Sequence, residues 1–222
     1  MPHAIDTLYP FLRVELPGIP EPLLVSAVAK TVNDFLRMSE VWKYTTPTLL
    51  DWTTALVFPA INVGTEIPAE TRATRIDTVK YAPDGVSLRE VPFKTRQQLD
   101  NIYSDWEVKT GNTPLYWTYD GPGVPRIVPI AVANVLATIQ IRTVLGSTES
   151  LVNLPDFIMH EFEDTIREGV LARLMKIPGK DWTNLTAAAA YASLFKAGYT
   201  KAKSRAQAEF GQPARETSYG GL

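Results

Sequence analysis

The chain contains no cysteine. Disulfides, thiolate metal sites and a thiol nucleophile are therefore excluded, and a reducing compartment fits. Only two histidines are present, His3 and His160, and no His-Glu-x-x-His motif occurs. Neither sign of charge dominates, because 22 Lys and Arg face 24 Asp and Glu, a formal net charge of -2. A protein that wraps nucleic acid by neutralising phosphates is usually basic, so that class is disfavoured. No apolar run approaches the roughly 18 residues that a transmembrane helix needs. Met1 to Arg13 carries Asp6 and lacks a basic stretch followed by an apolar one, so no signal peptide is expected there.

What is present is ordinary globular composition, 45% hydrophobic and 21% charged, in 222 residues. That length supports one or two domains with a substantial core. The 17 prolines exceed what a compact helical bundle needs. They punctuate the chain, since proline lacks an N–H and blocks a helix upstream of itself.

Residues 1–21 read as an extended N-terminal arm. Leu8 to Val14 could form one short strand, and Pro17-Gly18-Ile19-Pro20-Glu21-Pro22 breaks regular structure. A first helix is expected from about Pro22 to Trp42. Proline suits its first turn, and Leu24, Val28, Val32, Phe35 and Leu36 recur at steps of three and four. From Lys43 to Leu145 the helical period gives way to β-branched runs between turn signals. Strands are expected at Thr53–Val63, Thr74–Tyr81, Val86–Val91, Leu115–Tyr119, Arg126–Ile130 and Val135–Leu145. In the last of these Val135, Ala137, Ile139, Ile141 and Thr143 share one face. Ala82-Pro83-Asp84-Gly85 predicts a hairpin turn with Gly85 at positive φ. Asp120-Gly121-Pro122-Gly123 predicts a second turn, and Lys94 to Tyr103 a short helix or a long loop. Gly146–Asn153 reads as a polar linker.

Leu154-Pro155-Asp156 opens a second helix, striped by Met159, Phe162, Ile166, Val170 and Leu174. Gly169 interrupts it at a cost of about 1 kcal/mol against alanine, and close approach of another backbone is the expected compensation. A corner follows at Ile177-Pro178-Gly179-Lys180-Asp181-Trp182. A third helix starts near Thr183 or Asn184, both competent N-caps. Its expected stripe is Tyr191, Leu194, Phe195, Gly198, Ala202 and Ala206, and its second half is basic through Lys196, Lys201, Lys203 and Arg205. Gly211 to Leu222 reads as a tail. The expected fold class is thus α+β. A bundle of about three long helices (22–43 plus 154–211) carries an inserted antiparallel β-rich domain (44–153), an N-terminal arm (1–21) and a C-terminal tail (212–222).

Candidate chemistry is sparse. His160 with Glu161, Glu163 and Asp164 could crowd one helix side, but solvated helix charges explain the run more simply. Asp100, Asp105, Glu107 and Asp120 lie among Tyr103, Trp106, Tyr116, Trp117 and Tyr119. Paired acids among aromatics can make a glycosidase or sugar-binding cleft; a sheet core with a polar rim is the commoner outcome. Gly121-Pro122-Gly123 lacks the Lys-Ser/Thr of a phosphate loop, and Asn184-Leu185-Thr186 is a formal sequon only. The Lys/Arg cluster could meet phosphates, although a solvated or subunit-facing helix end suffices. No catalytic, metal or cofactor residue is assigned.

The helix–corner–helix stretch resembles the head-to-tail adaptor (connector or collar) proteins of tailed bacteriophages. The residues that carry the resemblance are Leu154-Pro155-Asp156, Glu168 to Leu174, Pro178-Gly179-Lys180-Asp181-Trp182, then Ala190-Tyr191 and Phe195. Tyr9-Pro10, Pro17-Gly18-Ile19-Pro20, Phe35 to Ser39 with Trp42, Gly111 to Tyr116 and Arg126 to Pro129 add to it in order. The resemblance implies a non-enzymatic virion protein of the neck or tail, assembled in the host cytoplasm. It implies a ring of the chain's own copies, commonly twelve, joining the portal protein to a tail nozzle or tube. The ring makes transient, non-specific contact with genomic DNA, and no cofactor or membrane is involved. It further implies a portal-docking tail through Arg215, Tyr219, Gly220, Gly221 and Leu222, and a subunit or portal interface at Lys196, Lys201, Lys203 and Arg205. Pro178, Gly179, Asp181 and Trp182 would form the structural corner. Alternative readings are another neck or tail component, or a carbohydrate-binding or carbohydrate-active module using the aromatic β region.

Overall fold

The computed structural model describes residues 2–45, 50–51, 71–121, 124–132, 138–147 and 153–210. The fold is mixed α+β, with five α-helices and an antiparallel sheet among these residues. The chain divides into two compact units. One holds the described residues up to Trp42, Thr71 and those from Gly146 onward; the other holds the rest between Lys43 and Leu145.

The first unit is helical. Strand β1 (Pro2–Ala4) leads through a 3-10 turn (Ile5–Leu8) into α1 (Tyr9–Glu15), where Pro10 occupies the first turn. This corrects the expected extended arm and the short strand at Leu8–Val14. Leu8, Leu12 and Leu16 recur every four residues and are fully buried, so the segment folds as one more amphipathic turn of the core. β1 is further pinned antiparallel to β11 (Asn153–Pro155), with Pro2 opposite Pro155.

Helix α2 spans Glu21–Ser39. It ends three residues before the expected Trp42 because Glu40 adopts φ 53, a left-handed C-terminal cap usually given to glycine. Helix α4 spans Asp156–Leu174 and α5 spans Leu185–Phe210. Each of α2, α4 and α5 packs on the other two. Phe35 and Phe162 meet between α2 and α4 with ring centroids 5.3 Å apart, and Arg173 pairs with Asp34 at 2.6 Å across the same two helices.

The close approach at Gly169 involves side chains and not the backbone expected. A Cβ there would lie 2.6 Å from Thr31 Cγ2 and 2.7 Å from Phe195 Cδ2. Gly198 plays the same part on α5, against Thr165 of α4. On α5 the buried line runs through Ala188, Ala202 and Ala206. Leu194, expected on that line, is 49% exposed.

The second unit holds a five-stranded sheet. β2 (Lys43–Thr45), β10 (Thr138–Ser147), β4 (Thr71–Ala82) and β5 (Arg89–Val91) lie in that order, and β3 (Leu50–Asp51) also pairs with β10. Ile139, Ile141 and Thr143 of β10 are buried, as the period-two pattern requires. β10 continues through Ser147, so the first residues of the expected linker are strand. Gly85 at φ 74 turns β4 antiparallel onto β5. The expected strand at Val86–Val91 is confined to Arg89–Val91, because Asp84 accepts from the N–H groups of Val86 and Ser87 and holds them in the turn. Helix α3 (Arg96–Ile102) resolves the helix-or-loop alternative, with a capping box between Thr95 and Gln98. After the short strand β6 (Thr110–Gly111), β7 (Tyr116–Gly121) and β8 (Val124–Val128) form an antiparallel hairpin, and β6 pairs parallel with β9 (Ile130–Ala131). The expected strand at Thr53–Val63 lies outside the described residues.

Candidate functional site

The corner between α4 and α5 is built from local hydrogen bonds. Gly179 takes φ 71, which an L side chain rarely adopts. Thr183 Oγ1 accepts from the Lys180 N–H at 3.0 Å and donates to the Ile177 carbonyl at 2.5 Å. The Asn184 N–H donates to the Met175 carbonyl at 3.1 Å. Asn184 Oδ1 then accepts from the Ala187 N–H at 2.9 Å, so Asn184 is the N-cap of α5. Pro178, Gly179 and Asp181 are exposed, and Trp182 is half-buried, its inaccessible indole N–H without a hydrogen-bond partner among the described residues.

The basic half of α5 is not one uniform patch. Lys203 lies 4.0 Å from Glu40, and Arg205 pairs with Glu161 of α4. Those two cations therefore tie α5 to its own unit. Lys196 and Lys201 are exposed with no ion pair among the described residues. Nearer the start of α5, Tyr191 donates its hydroxyl to Glu15 at 3.0 Å. That hydrogen bond, followed by burial, holds the Tyr191 phenol above its ordinary range. Arg215, Tyr219, Gly220, Gly221 and Leu222 lie outside the described residues.

Among the described residues, the aromatics of the β region fall into two buried clusters. Trp106 is buried with Leu99 and Val128, flanked by Tyr103 and Tyr116. Its indole N–H donates to Asp100 at 2.7 Å. Arg96 and Arg126 lie over the ring at 5.7 and 5.3 Å. Trp117 and Tyr119 belong to a different cluster, with Ile76, Ile139 and Ile141. One acid thus satisfies a buried tryptophan, and the aromatics divide between two cores. The side chain of Asp120 lies outside the described residues.

Comparison with protein-family models and with curated proteins finds no match for this chain. His160 is exposed on α4, and among the described residues no three His, Asp or Glu side chains are grouped to hold a metal ion. No helix among them is long and apolar enough to cross a membrane.

A cluster that pattern reading missed is the ion network around Asp77 on β4. Its Oδ2 accepts from Lys43 of β2 at 3.1 Å and from Arg142 of β10 at 2.6 Å, and all three side chains are largely buried. Only the signs of the residues were visible in sequence, since their meeting depends on strand order.

Proposed function

We propose that the chain is a structural virion protein of the head-to-tail adaptor type. In this reading α2, α4 and α5 form one bundle, with the β unit inserted in the chain between α2 and α4. Copies of the chain form a ring, commonly of twelve, between a portal protein and a tail nozzle or tube, assembled in the host cytoplasm. The observation that carries the reading is the α4–corner–α5 hairpin, whose Pro-Gly-Lys-Asp-Trp turn is fixed by Gly179 at positive φ and by the Thr183 bridge. The same residues carry the sequence resemblance. The balance of charge also fits a channel through which DNA slides without being held.

The N-terminal arm drops out of this reading, because residues 2–16 fold into the helical unit. Docking to the portal then falls to the C-terminal tail, with Lys196 and Lys201 left as the free cations of the subunit or portal interface among the described residues. A carbohydrate-binding or carbohydrate-active module is the less favoured reading, since Trp106 and Asp100 are hydrogen-bonded to each other. The test is electron microscopy and mass photometry of purified chain mixed with its cognate portal. Ring-shaped density capping the portal is the expected result. A chain that never joins portal, yet binds or cleaves glycans, overturns the reading.

A further inference from the structure

We draw no further inference here: the strongest candidate, the cavity of about 710 Å³ along the exposed side of α2 between Glu21 and Asn33, with Pro22, Val25, Ala29 and Lys30 in its wall, is lined by α2 alone among the described residues, and nothing in the structure shows what covers it.

Discussion

Glu168 sits on α4 where burial, and then the Asp164 carboxylate, raise its pKa above the ordinary carboxylate range, with Arg167 opposing. The charged form is therefore disfavoured in the folded state. Its contribution to stability is complete below the unfolded carboxylate pKa and is lost as pH rises through the raised folded value. Glu168→Gln should consequently raise the melting temperature at neutral pH, and the gain should vanish near pH 4. Thermal melts of both proteins from pH 4 to 8 check this; a pH-independent difference counts against the linkage. Asp77 represents the opposite case, a shared anion for two largely buried cations. Asp77→Asn should cost about 3 kcal/mol, near the low end for breaking a buried pair, because Lys43 and Arg142 retain other contacts. The midpoint of chemical unfolding reads it, and a change under 1 kcal/mol would show that the pair contributes little.

Helix α1 shows where an element is legible and where it is not. Its period was present in Leu8, Leu12 and Leu16, all buried. Pro10 and the proline-rich stretch after it made an extended reading look safe, yet Pro10 sits in the first turn, where its missing N–H costs nothing. Helices α2, α4 and α5 were readable because Pro22, Pro155 and Asn184 mark starts that agree with long apolar stripes. The site was less legible. The corner residues were visible as a turn, but the Thr183 bridge and the commitment of Arg205 to Glu161 depend on contacts that spacing cannot show. Gly169 announced a close approach without naming its partners. Gly169→Ala brings a Cβ onto Thr31, whose hydroxyl donates to the Ala27 carbonyl, and onto Phe195. Overpacking of ~1–3 kcal/mol should exceed the ~1 kcal/mol gain in helix propensity. The expected outcome is a melting temperature lower by a few degrees. A stabilised variant would show that the three-helix junction has slack.

At the scale of the whole molecule, the proposed adaptor reading assigns portal docking to the C-terminal tail, and that assignment can be separated from folding. The described α5 reaches Phe210, and the last buried residue among its described side chains is Ala206. The buried anchors of α2 and α4, among them Phe35, Leu36, Ile166 and Leu174, all precede residue 213. Deleting residues 213–222 removes none of these groups, so the truncated chain should keep its helical circular dichroism signal and its melting temperature. What it should lose is attachment to the portal, because Arg215, Tyr219 and Gly220-Gly221-Leu222 are gone. Co-sedimentation of full-length and truncated chains with cognate portal reads the difference. Retained attachment moves docking from the tail to the folded helical unit, with the exposed corner at Pro178–Asp181 the next surface to mutate. Loss of attachment together with loss of folding would instead make the tail part of the core and overturn the assignment.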